Sequence, residues 1–192
     1  RGGSEFWSRS ADFGSSAGFL KNVNFNSAIT GLTFACVFDG FDSNSTNHMV
    51  SLYDSTMNNN FLDISPKNGK LHITIYDKNW NASIFQDAIA APAGNSPFLL
   101  LIGLRSNKAI VYLDGVSKLN ASTTFDGVDT FSKAAIGTDA RTTINYYRGN
   151  ASFIYFAPSY TDFAQEANRN KFVDQLGYPR DLTQQIEDGD IP

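Results

Sequence analysis

The sequence is most informative first in what it has little of. It holds one cysteine, Cys36, so no disulfide forms within the chain and the fold must stand on its core. Cys36 sits inside the apolar run Leu32–Phe38 and reads as a small buried hydrophobe. Glutamate occurs only at Glu5, Glu166 and Glu187, and histidine only at His48 and His72. Lysine and arginine are scattered, and the net charge is -4, so no cluster exists to neutralise a run of phosphates. Nucleic-acid binding therefore has no electrostatic support. A basic amphipathic helix for a membrane surface is absent too. No apolar stretch reaches spanning length, and no signal peptide is visible.

What is present leans toward strands. Phenylalanine (16) and tyrosine (8) are abundant, with many Asn, Ser and Thr, and charged residues make up only 18%. Aromatic and β-branched side chains suit a half-buried pleated surface. At 192 residues the chain is long enough for one domain with a sizeable core. Four sequons begin at Asn44, Asn81, Asn120 and Asn150, about what chance supplies in a chain rich in these residues, so they carry no argument.

Residues 1–6 read as a vector-derived linker and 7–16 as a Ser/Gly-rich lead-in. Apolar alternation then marks short strands near 19–26, 32–38, 48–53, 61–64 and 71–76. Asn68-Gly69 is a hairpin signal, because both residues tolerate the positive φ of a two-residue turn. Phe98–Leu104 and Ala109–Leu113 are strands joined so tightly that they must be antiparallel neighbours. Asp114-Gly115 turns the chain again, and strands follow at 131–136 and 151–156. About ten short strands with regular turns predict an all-β, two-sheet antiparallel jelly-roll sandwich over 17–160. One α-helix is predicted over 161–178, packed on an outer face, with Asp162 as N-cap, Gln165 in the capping-box position, and Gly177 and Pro179 as stops. Residues 179–192 read as a polar tail, at best partly ordered.

The middle of the chain resembles a known family. Ile110-Val111-Tyr112-Leu113-Asp114-Gly115-Val116 is similar to the hairpin of laminin-G-like and concanavalin A-like domains. Ala135-Ile136-Gly137 and Arg148-Gly149-Asn150-Ala151-Ser152-Phe153-Ile154-Tyr155 resemble their later strands, in the same order and spacing. The resemblance covers about residues 17–158 and implies a concanavalin A-like (LamG-like) jelly roll; its motifs are structural and identify no activity. A second stretch, Asn168-Arg169-Asn170-Lys171-Phe172-Val173-Asp174 followed by Gly177-Tyr178-Pro179-Arg180-Asp181-Leu182, is similar to a segment of tailed-phage virion proteins. That likeness implies a virion or extracellular surface protein.

Glycoside hydrolases share this fold and need two carboxylates across the scissile bond. The resemblance leads to a Glu-x-Asp-x-Glu pattern on one strand, which is absent; Asp63 and Asp77 have no acidic partner at alternate positions. No zinc-ligand spacing, nucleophile elbow or phosphate-binding glycine loop occurs. A non-catalytic module is therefore expected. Asp39, Asp42 and Asn44 offer hard oxygen ligands in one loop, which makes calcium a possible cofactor. Sugars stack apolar faces on aromatic rings and pair their hydroxyls with Asp, Asn and Arg. Two segments carry that mixture: Tyr76, Asp77, Asn79 and Trp80, and Arg141, Asn145, Tyr146, Tyr147 and Arg148. The expectation is a lectin-like surface module whose partner is a surface glycan, with no nucleic acid and no membrane insertion. The alternative is a decoration module of a phage capsid or tail that contacts protein neighbours. The sequence leaves the oligomeric state open.

Overall fold

The computed structural model describes residues 5–7, 11–12, 19–22, 28–39, 47–90, 96–142, 150–176 and 178–191. Two antiparallel sheets face one another. Sheet A comprises β1 (Glu5–Trp7), β2 (Ala11–Asp12), β4 (Gly31–Asp39), β9 (Phe98–Arg105), β10 (Lys108–Leu113), β11 (Val116–Ala121) and β13 (Asn150–Ala157). Its order is β1-β13-β4-β9-β10-β11, with β2 also pairing with β13. Sheet B comprises β3 (Phe19–Asn22), β5 (Val50–Asp54), β6 (Asn59–Lys67), β7 (Lys70–Tyr76), β8 (Ala82–Ala90) and β12 (Phe131–Ile136), in the order β3-β12-β5-β6-β7-β8. The predicted jelly-roll sandwich is observed. Glu5–Trp7 and Ala11–Asp12, expected to be linker and lead-in, pair with β13.

The predicted turns take the backbone they require. Asn68 and Gly69 have φ of 51° and 72°, and Asp114 and Gly115 have 47° and 75°. Between the sheets lies the main core, which includes Phe34, Phe38, Phe61, Phe98, Phe125, Phe131 and Phe156, all about fully buried. Phe61 meets Phe131 edge to face, with ring centroids 5.2 Å apart, a favourable arrangement for aromatic pairs.

A second core lies on the outer face of sheet A. Ala35, Leu99, Leu101, Ile110 and Tyr155 point away from the main core and are covered by Phe163, Phe172, Leu182 and Ile191 from the C-terminal segment. Phe172 sits edge to face on both Tyr155 and Phe163, at 5.4 and 5.2 Å. The segment lies directly on bare backbone where it begins. A Cβ at Gly103 would stand 2.3 Å from the Thr161 carbonyl oxygen, and one at Gly31 would stand 2.8 Å from the Tyr160 nitrogen. Thr33 donates its hydroxyl to the Ser159 carbonyl at 2.6 Å, which ties the start of the segment to β4.

The single helix over 161–178 is not formed. Among the described residues only α1 (Glu166–Arg169) and α2 (Thr183–Asp188) are helical, and the N-cap of α1 is Gln165, not Asp162. Asp162 instead accepts the Ala164 N–H at 3.1 Å in a local turn. Asp174 accepts the N–H groups of Leu176 and Tyr178 at 2.8 and 2.9 Å, and Arg180 N donates to the Phe172 carbonyl, so the chain doubles back at the predicted C-terminal half of the helix. Asn and Asp side chains compete with helical hydrogen bonds. A flat sheet face also rewards a strap that lays down Phe163, Phe172, Leu182 and Ile191 in turn. The expected loose tail supplies the last two of these anchors.

Candidate functional site

The outer face of sheet B is polar where that of sheet A is apolar. A bulge in β6 creates its main feature. Leu52 pairs with Leu62 but Tyr53 pairs with Asn60, so Phe61 is the extra residue of the ladder. Phe61 and Leu62 both enter the core, and Asn60 and Asp63 are left together on the outer side. His48 Nδ1 meets the Asp63 carboxylate at 2.7 Å. Asn60 Nδ2 donates to Asp139 at 2.9 Å and approaches Asp63 at 3.4 Å.

Asp139 reaches Asn60 because the chain folds back after β12. Gly137 takes a φ of 79° and donates to the Met49 carbonyl, and Ala140 N then donates to Ser51 Oγ at 3.0 Å. Asp139 also accepts Arg141 N at 2.8 Å and the Thr142 hydroxyl at 2.7 Å. Burial pushes the Asp139 carboxyl up, but hydrogen bonds from Asn60, Thr142 and Arg141 and the nearby His48 outweigh it and hold it below its ordinary range. Burial pulls His48 down, yet Asp63, with help from Asp139 and against Arg141, raises it overall. The buried Asn60 Oδ1 has no hydrogen-bond partner among the described residues. The cluster thus holds two carboxylates, an imidazole and an amide in fixed positions.

The predicted site residues divide. Tyr76 ends β7 half-buried and packs against the core. Asp77 spends its carboxylate on its own turn, accepting Asn79 N, Asn81 N and Asn81 Nδ2, each at 2.8 Å. Those bonds outweigh the upward push of burial and hold its carboxyl low. Asn79 is exposed. Trp80 is 54% exposed and held at φ 67° by its N–H to the Asp77 carbonyl. A bulky residue in the left-handed region is costly, and such strain gathers at functional positions. Arg141 is exposed beside Asp139. Because Ile75 pairs with Leu62, the Trp80 turn and the Asn60–Asp139 contact lie toward the same end of sheet B. Asn145, Tyr146, Tyr147 and Arg148 lie outside the described residues.

Asp39 ends β4, its backbone paired with Asn150, while Asp42 and Asn44 lie outside the described residues. Among the described residues no group of three His, Cys, Asp or Glu is placed to hold a metal ion. No helix there is long and apolar enough to cross a membrane. Sequence reasoning missed His48, Asn60, Asp63 and Asp139 as a group. Asp63 has an acidic neighbour after all, supplied by a distant segment and not by an alternate position on its own strand.

No family profile matches the sequence. No curated protein matches it. Solved structures do resemble it. The ligand-binding domain of botulinum neurotoxin serotype D, determined in complex with N-acetylneuraminic acid, superposes with a TM-score of 0.62 at 15% identity, covering 92% of this chain and 49% of that one. A native heptameric SAP-like pentraxin from Limulus polyphemus superposes with a TM-score of 0.59 at 12% identity, over 84% of this chain and 78% of that one. The chain has the concanavalin A-like jelly-roll fold. The binding domain of botulinum neurotoxin serotype G gives a TM-score of 0.59 at 12% identity, over 93% of this chain and 49% of that one. The chain spans about half the length of the neurotoxin chains it matches. At these identities the likeness is one of fold, and the concanavalin A-like fold carries both binding domains and glucanases.

Proposed function

We propose that this protein is a non-catalytic, lectin-like module that recognises a surface glycan through the outer face of sheet B. The observation that carries this reading is Trp80, held exposed in a strained conformation at the end of the sheet where Asn60, Asp63 and Asp139 gather. An indole face stacks on the C–H face of a sugar, and fixed carboxylates and amides take its hydroxyls. The serotype D neurotoxin domain was solved with N-acetylneuraminic acid, which supports glycan recognition on this fold. The Glu-x-Asp-x-Glu pattern of glycosidases on this fold is absent from the sequence, which favours hydroxyl binding over glycoside hydrolysis. Display on a virion or another extracellular surface is part of the proposal and rests on the likeness of residues 168–182 to tailed-phage virion segments.

A glycan array followed by titration of the best binders tests this reading. The expected result is binding that falls at least about tenfold in Trp80→Ala and in Asp139→Asn. Release of reducing ends from polysaccharides would turn the reading toward a hydrolase. A second reading, a decoration module that contacts protein neighbours, draws on Ile84 and Val116. They are 52% and 56% exposed on β8 and β11, the edge strands that approach one another on one flank. Absence of sugar binding together with stable oligomers by light scattering would favour it.

A further inference from the structure

The C-terminal strap seals most of the outer face of sheet A but leaves a cavity of about 440 Å³ beside α1. Its floor is apolar: Leu99 and Leu101 from β9 and Val173 from the strap. Its walls are polar, and two of their side chains are tied to the fold. Asp114 accepts the Leu99 N–H with Oδ1 and donates its own N–H to the Leu99 carbonyl, so its carboxylate is clamped to β9. Its Oδ2 has no donor among the described residues. Arg169 gives Nη1 to the Phe163 and Ala164 carbonyls at 2.6 and 3.1 Å and lies over the Tyr112 ring at 4.6 Å. The rest of that guanidinium has no acceptor among the described residues. Asn170 and Glu166 line the same wall, and their side chains have no hydrogen-bond partner among the described residues. A second cavity of about 280 Å³ adjoins it, sharing Leu99 and Asp114, and is walled by Pro179 and Tyr178, which is 65% exposed.

We infer that these two adjoining cavities form a second binding site, for a short linear stretch of neutral glycan, on the face opposite the cluster of sheet B. The volume falls within the range of small-ligand pockets, about 300–1,000 Å³. An apolar floor takes the C–H face of a sugar ring. The donors and acceptors of the walls, Asp114 and Arg169 clamped among them, take hydroxyls, which do both. Tyr178 offers a ring on which the next sugar stacks. Two carboxylates against one partly occupied guanidinium disfavour an anionic sugar. A peptide strand finds no backbone ladder here, because the groove runs over side chains and not along a sheet edge. The ligand class rests on the glycan reading above; the location does not.

The test uses the whole chain and the neutral disaccharides maltose, cellobiose, lactose and chitobiose, with sialyllactose as the charged comparator. Affinity is read by titration and the site by hydrogen–deuterium exchange. Protection of 97–101 and 166–179 by a neutral disaccharide is expected. An affinity loss of at least about tenfold is expected in the Asn170→Ala, Tyr178→Ala double variant, with an unchanged melting temperature. These two exposed side chains make no hydrogen bond among the described residues, so the fold does not depend on them. Protection confined to 60–63 and 137–142 overturns this site and leaves the first reading standing. Protection confined to the groove does the reverse. Preference for sialyllactose, or binding unaffected by the double variant, also overturns the inference, and no protection by any sugar removes both readings.

Discussion

The two outer faces of this sandwich have opposite fates. Sheet A presents Ala35, Leu99, Leu101, Ile110 and Tyr155 outward, and the chain returns to cover them. Sheet B presents Ser51, Tyr53, Asp63, Ser65, His72 and Thr74 outward, and among the described residues the polar segment 137–142 returns there. Covering an apolar face stabilises the fold at about 25 cal/mol per Å² of apolar area removed from water. Covering a polar face does so only where each buried group finds a partner. The first face is therefore closed by aromatic and aliphatic anchors, and the second stays partly open, held by hydrogen bonds. Apolar packing is concentrated on one face and the hydrogen-bonded polar cluster on the other.

That contrast can be broken in order of effect. Phe172→Ala removes the central anchor of the strap, which touches both Tyr155 and Phe163, and should cost about 3–5 kcal/mol in chemical denaturation. A cost below about 1 kcal/mol would mean that the strap lies loosely on the sheet. Asp139→Ala strips the acceptor from Asn60, Arg141 N and Thr142, and should cost about 1–3 kcal/mol as well as glycan binding. Loss of stability with full retention of binding would confine Asp139 to a structural role. Trp80→Gly relieves the left-handed strain at an exposed position, so stability should hold or rise by up to about 1 kcal/mol while binding disappears.

The smallest effect is one of pH. His48 is raised in the folded state by Asp63, so its contribution to stability is fully present below its unfolded value. That contribution fades as pH climbs through the higher folded value. Asp139 acts in the opposite sense: its contribution is present above the unfolded carboxylate value and is lost as pH falls through the lowered folded one. The melting temperature of the wild type should therefore fall slightly between pH 6 and 8 relative to that of His48→Gln. Parallel curves would show that the pair contributes nothing measurable.

Turns and central strands were legible in the sequence because they obey local rules. Asn68-Gly69 and Asp114-Gly115 tolerate the positive φ they adopt, and Phe98–Leu104, a nearly continuous apolar run, reads as a strand and proves buried on both faces. The edge strands β8 and β11 were not legible. β11 has no buried residue and β8 is exposed at most of its described positions, so neither carries a strong alternating pattern. The helix prediction placed this segment on an outer face of the sandwich, where it lies, but missed its conformation: Phe163 and Phe172 are buried while Leu176 is 80% exposed, so the apolar spacing does not form one helical face. Half of the candidate site followed the same division. Trp80 and Arg141 were identifiable by residue type, while the meeting of Asn60, Asp63 and Asp139 depends on a one-residue bulge and on a chain reversal after Gly137. Local conformational preference lies within a few residues and can be read from them. Which face is sealed, and which carboxylates come together, depends on contacts between segments some 80 residues apart, such as Asn60 and Asp139, and only the packed structure decides those.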